Sequence, residues 1–161
     1  MATIMADPEV MRYRFATLSR DESDRLIDGN EEPFETNGFG LWAVERTDDR
    51  SLLGFTGFGT SDFASFWPAV DIGWTLAGDA WGYGYATEAA SASLDFAFAR
   101  LGLDGVVAHT THLNKRSQNV MKRLGLTHDI ADDFDGPWYP PSHPHRRFVL
   151  YRIRAVDWVP R

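Results

Sequence analysis

Two glycines one residue apart, Gly82 and Gly84, open directly into small and apolar residues at helical spacing: Ala86, Ala89, Ala90, Leu94, Ala97, Phe98 and Leu101. No other stretch limits the folding of this chain so tightly. Glycine reaches backbone angles closed to other residues and carries no Cβ, so successive N–H groups in such a turn converge at the positive end of the following helix. The expectation is an anion cradle of a kind suited to phosphate, followed by a helix from about 85 to 101 whose small residues allow close backbone approach.

The rest of the chain alternates element types. Residues 7 to 13 and 20 to 36 read as helical; Ser19 with Glu22 three positions on makes a capping box for the second, and Gly29 and Pro33 weaken its later turns. Residues 41 to 47 and 52 to 59 read as a strand hairpin across Thr47-Asp48-Asp49-Arg50-Ser51, and 69 to 76 as a third strand. After the 85 to 101 helix come a strand at 105 to 111, a helix at 115 to 124 closed by Gly125, and a strand at 146 to 154. A hairpin and meander followed by strand, helix, strand, helix and strand is an α/β (α+β) arrangement with a mixed sheet.

Length and composition fit one domain over residues 1 to 161, with 43% hydrophobic and 24% charged residues. There is no membrane-span run and no signal-peptide layout, so the expectation is a cytoplasmic protein. The absence of cysteine rules out disulfides, a thiolate nucleophile and thiolate metal ligands. A net charge of -7 argues against nucleic acid as a partner and suits a cationic amine. The five histidines offer His109 with His112 and His143 with His145, but neither pair has a carboxylate at a familiar ligand spacing, so no metal site is expected.

A dinucleotide-binding turn is the first rival for the glycine pair. It fails in detail, because Thr87 stands where that fingerprint needs a third small residue and Asp104 lies in a helix-to-strand turn. The segment Trp81-Gly82-Tyr83-Gly84-Tyr85-Ala86 resembles instead the pyrophosphate loop of the GNAT N-acetyltransferases, in which Arg or Gln is followed by two residues, Gly, one residue, and Gly or Ala. Trp81 departs from that pattern at the Arg/Gln position. The continuation through Thr87, Glu88 and Ala89 is similar to the branch of the ribosomal-protein N-terminal acetyltransferases (Rim type). So are Asp7-Pro8-Glu9-Val10-Met11-Arg12-Tyr13, Gly40 to Glu45, Ala69 to Trp74, Asn114-Lys115-Arg116-Ser117, Arg123 to Leu126 and His145 to Tyr151.

The resemblance implies a GNAT fold with a central mixed, mostly antiparallel twisted sheet flanked by helices, and acetyl-CoA as acyl donor to an amine. It implies that Ile72, Gly73, Trp74, Thr75 and Leu76 line the pantetheine arm, that the backbone of Gly82, Tyr83, Gly84, Tyr85, Ala86 and Thr87 beside Trp81 cradles the pyrophosphate, that Asn114 holds a pantetheine amide, and that Ser117 approaches the sulfur as acid. Asp71 takes the place of the base; its alternative is a solvent-facing strand carboxylate. Glu88 is a second carboxylate, or a charge that suits a helix N-terminus. The superfamily's tyrosine acid is replaced by Met121, and Asn114 with Ser117 reads equally as a helix cap. Members of that family usually open with a strand and a helix where this sequence has only Met1 to Met5; the expectation is an N-terminally shortened fold, with an exposed strand edge that a homodimer or strand exchange would cover, or else a misassigned translation start.

Phe63, Phe66, Trp67, Phe134, Trp138 and Tyr139 either line an acceptor pocket or pack beneath loops, and Asp132, Asp133 and Asp135 either attract a cationic amine or form a solvated bend. A CoA-binding module without catalysis is the alternative from another class, favoured by Trp81, Met121 and the missing strand.

Overall fold

The computed structural model describes residues 1–61 and 69–160. Three short helices lead: α1 (Ala2–Met5), α2 (Arg20–Asp28) and α3 (Glu31–Asn37). The strands β1 (Leu41–Glu45), β2 (Leu52–Ser61) and β3 (Ala69–Leu76) follow, then α4 (Tyr85–Ala99), β4 (Gly105–Thr111), α5 (Lys115–Leu124), β5 (Thr127–His128), β6 (Phe134–Asp135) and β7 (Arg147–Arg154). One seven-stranded sheet results, in the order β1-β2-β3-β4-β7-β5, with β6 also on β7. Every pairing is antiparallel except β3 with β4. This is the mixed, mostly antiparallel α/β sheet that the element order and the resemblance lead one to expect.

The main core lies where α4 and α5 cover one face. Ala90, Leu94 and Ala97 of α4 and Met121 and Leu124 of α5 are buried against Phe58, Ile72, Val106, Ala108 and Val149 from the strands. Side chains alternate across a strand, so Asp71, Gly73 and Thr75 of β3 and Val107 and His109 of β4 face the other way. On that second face Met5, Met11 and Phe55 form a small cluster beneath the N-terminal segment.

Several local expectations change. Residues 7–13 form turns and the leading helix sits earlier, at Ala2–Met5. The Asp7 carboxylate accepts from the Glu9 N–H at 2.8 Å, a local bond that competes with helix, and Pro8 contributes no donor. The predicted helix from 20 to 36 is two helices, because the Asn30 side chain at the junction is engaged with Leu41. The capping box at Ser19 and Glu22 is present. β1 stops at Glu45, where its register with β2 shifts, and the two-residue strands β5 and β6 had no sequence signal.

Among the described residues no strand precedes β1, which forms one edge of the sheet. No helix among them is long and apolar enough to cross a membrane.

Candidate active site

The site begins where two strands part. β3 and β4 are parallel neighbours, yet their register contains one pair, Asp71 with Val107. Beyond it Ile72 to Leu76 leave β4, and a cleft of about 680 Å³ opens between them. One end of the cleft is walled by residues of the 80–87 turn and the first turns of α5, the other by Tyr13, Arg14, Phe15, His109, Trp138, Tyr139 and Phe148. The space is clear at Gly73, where an added Cβ would meet nothing within 4 Å.

At the first end Gly82 and Gly84 have φ of 88° and 94°, left-handed values that an L side chain rarely adopts, and Cβ atoms there would project into open space. Gly84 is the N-cap of α4. Its carbonyl takes the N–H groups of Thr87 and Glu88, while those of residues 82–86 have no backbone acceptor among the described residues. The result is an open nest of donors at a helix N-terminus, fit for a pyrophosphate. Trp81 is turned to another task, since its Nε1 donates to the Leu76 carbonyl at 3.0 Å. The Arg116 guanidinium lies 4.4 Å over its ring, so a cation stands at the cleft rim although the Arg/Gln position is a tryptophan.

Asn114 serves as the α5 cap. Its Oδ1 accepts from Ser117 N–H at 3.2 Å and its Nδ2 donates to Thr110 Oγ1 at 3.1 Å. The cleft-lining Ser117 is half-buried, and its hydroxyl has no hydrogen-bond partner among the described residues. Met121, one turn on, is buried at the cleft floor.

At the other end Asp71 Oδ2 lies 3.8 Å from His109 Nε2, with both side chains largely buried. Burial pushes the His109 imidazole below its usual pKa, and the Arg14 charge acts in the same direction while Asp71 opposes them. At neutral pH the ring is therefore uncharged and able to accept a proton. Phe134 and Phe148 hold it from two sides, at ring distances of 5.8 and 5.7 Å. Arg14 reaches the cleft from the N-terminal segment and donates from Nη2 to Thr75 Oγ1 at 3.1 Å.

Of the residues that the sequence brought forward, Asp71, Ile72 to Leu76, Trp81, Gly82, Gly84 to Thr87, Asn114 and Ser117 share this cleft. The exposed Tyr83 is stacked on Tyr85 beside it. Glu88 is not brought there: it lines a separate cavity between β1 and α4 with Arg46 and Tyr85. The acidic bend offers little free charge, because Asp132 meets Arg152, Asp133 meets His128, and Asp135 meets Arg146 and Arg147. Trp138 and Tyr139 line the cleft, Phe134 packs on His109, and Phe63, Phe66 and Trp67 lie outside the described residues. No group of three or more metal-ligating side chains occurs among the described residues.

His109 and Arg14 had no sequence argument for a role in acyl transfer. The one hint was a histidine among apolar residues on a strand, after Val106, Val107 and Ala108.

Comparison with known proteins agrees with this geometry. Residues 1–127 match the family model described as an acetyltransferase (GNAT) domain. The FsC-acetyl coenzyme A-N(2)-transacetylase of Aspergillus fumigatus is 28% identical over 138 residues, covering 76% of this chain, which spans about half (53%) of that relative's length. Among solved structures, an acetyltransferase from Agrobacterium tumefaciens has a TM-score of 0.74 at 25% identity, over 95% of this chain and 82% of its own. Spermidine N-acetyltransferase from Vibrio cholerae, in complex with CoA and spermine, has a TM-score of 0.74 at 15% identity, over 97% and 88%, a likeness of fold alone. Glycine nest, splayed strands and family match coincide, and the chain belongs to the GNAT acetyltransferase family.

Proposed function

We propose that this chain is an acetyl-CoA-dependent N-acetyltransferase that acts on a primary amine by direct attack in a ternary complex, and that residues 1 to 161 form a single such domain. One observation carries the reading: the glycine nest and the Asp71–His109 pair open into the same cleft, along the gap between β3 and β4. When bound, acetyl-CoA supplies the acetyl group as a thioester, so that a C–N bond replaces the C–S bond and the protein has only to position the reactants and move protons.

The backbone of Gly82 to Ala86 would hold the pyrophosphate, with Arg116 at the rim, and the free edge of Ile72 to Leu76 would hold the pantetheine arm. Neutral His109, with Asp71 beside it, takes the proton that the amine must lose. The Ser117 hydroxyl, on the opposite wall, is the donor toward the sulfur. Asn114 acts through the α5 cap that fixes Ser117. The assignment to the Rim-type branch is supported by the Trp81 to Ala89 block and the Asn114 to Ser117 block.

Titration calorimetry with acetyl-CoA, CoA and NAD on wild type and Gly84→Asp is the direct test. The expected result is binding of both CoA species and not NAD, abolished by a carboxylate placed in the nest. Absence of CoA binding in the folded wild type would overturn the reading.

The second reading, a CoA-binding module without catalysis, is favoured by buried Met121 at the superfamily's acid position. It requires that Ser117→Ala leave any acetyl-CoA turnover unchanged.

A further inference from the structure

The acetyl-transfer reading leaves the acceptor open, and Arg14 narrows it. Three arginines stand in the cleft wall: Arg14, Arg116 and Arg123. Arg116 is engaged by Glu9 at 3.6 Å and by the Trp81 ring. Arg123 belongs to α5, at the opposite wall. Arg14 stands at the acceptor end, in a turn fixed by its own N–H to the Met11 carbonyl at 2.8 Å.

Most arginines among the described residues lie against a carboxylate, as Arg46 does on Asp49 and Arg154 on Asp157. Arg14 makes one side-chain hydrogen bond, to Thr75, and forms no ion pair among the described residues. A guanidinium has five donors, so most of its fork is left for a ligand. Arg14 stays open to solvent along the cleft, yet crowding pulls it below its usual pKa, against the opposing influence of Tyr139 and Asp71. A permanently charged planar fork, held by Thr75 between aromatic walls, is built for a carboxylate. Asp71 and Thr75 project from the same face of β3, and the guanidinium held by Thr75 lies close enough to Asp71 and His109 in the shared cleft for their charges to act on one another. Amine and carboxylate sites thus lie within the reach of one small molecule.

We propose that the acceptor is an α-amino acid, or a comparably compact amine bearing a carboxylate, whose carboxylate docks on Arg14 while its amine faces Asp71 and His109. A polyamine is the wrong partner for this end, since it would bring a second cation against Arg14, and the acidic bend that might have attracted it is already neutralised. The inference rests on the transferase reading and adds a substrate class to it.

The test follows CoA release by the full chain with acetyl-CoA and a panel of free amino acids, their α-amides, and spermidine. The best amino acid should exceed its own amide at least about tenfold in kcat/KM, with spermidine lowest. Arg14→Gln should bring the acid-to-amide ratio near one while the Kd for acetyl-CoA is unchanged. Arg14→Lys keeps the charge without the fork and should give an intermediate ratio, so the outcome does not hang on one variant's folding. Amides or spermidine turned over as well as acids, or a ratio that survives Arg14→Gln, would overturn the acceptor class. A chain that binds acetyl-CoA but acetylates nothing in the panel overturns that class and leaves the donor site standing, whereas one that binds no acetyl-CoA overturns the transferase reading as well.

Discussion

The Asn30 carboxamide holds Leu41 by both backbone groups that face away from the sheet, accepting from its N–H and donating to its C=O, each at 2.7 Å. A side chain thereby stands in for a neighbouring strand at the start of the edge strand β1. Replacing it with Ala removes two partly buried bonds and should cost about 1–3 kcal/mol. Asn30→Asp should be no better, because a carboxylate can accept from the N–H but repels the carbonyl. Urea denaturation of the three proteins checks the order.

The Arg116 guanidinium rests over the Trp81 ring at the cleft rim, so an effect of Trp81 on CoA binding is expected to run through Arg116. Trp81→Leu removes the ring that orients the guanidinium, worth about 0.5–2 kcal/mol, and should raise the Kd for CoA by about 2- to 30-fold. Arg116→Gln should do the same, and the double variant should lose little more than either single one. Calorimetry on the four proteins reads this coupling.

Ser117→Ala should separate catalysis from binding. The hydroxyl is not used by the fold, so melting temperature and Kd for acetyl-CoA should stay close to wild type. The kcat should fall by about 10²- to 10⁴-fold if Ser117 supplies the proton to the departing sulfur. Stopped-assay rates at saturating acetyl-CoA decide it.

His109 carries a pH signature in stability. Its folded pKa lies below the ordinary value, so the unfolded chain takes up a proton first as pH falls. Stability from this group is present above about pH 6.5 and is lost as pH falls toward the folded pKa, at up to about 1.4 kcal/mol per unit. Relative to His109→Gln, wild type should weaken over that interval and run parallel to it above. Denaturation at successive pH values gives the comparison.

The glycine-nest end of the cleft was legible because its signals are local. Gly82, Gly84 and the small face of α4 are neighbours in sequence, and the same holds for the Ser19 capping box and for Asn114 with Ser117. The other end of the cleft is assembled from residues 14, 71, 109 and 139, which two strands and the segments packed beside them bring together, so Arg14 and His109 carried no shared pattern. Glu88 shows the converse. Its place in the motif suggested chemistry, but α4 turns it into another cavity, because residues on a helix share a face at three- and four-residue spacing and not by adjacency. Residues 7–13 looked helical by composition until the Asp7 side chain claimed the Glu9 N–H.

A single ladder pair joins β3 to β4, so the sheet resembles two pages bound by one stitch and backed by the helical layer, with β1 to β3 on one page and β4 to β7 on the other. A ligand lying along the seam would replace the absent rungs, and a ligand that binds only the folded form raises its stability with concentration. Loading the cleft and stiffening the protein are then one event, and the melting temperature becomes a gauge of how full the seam is.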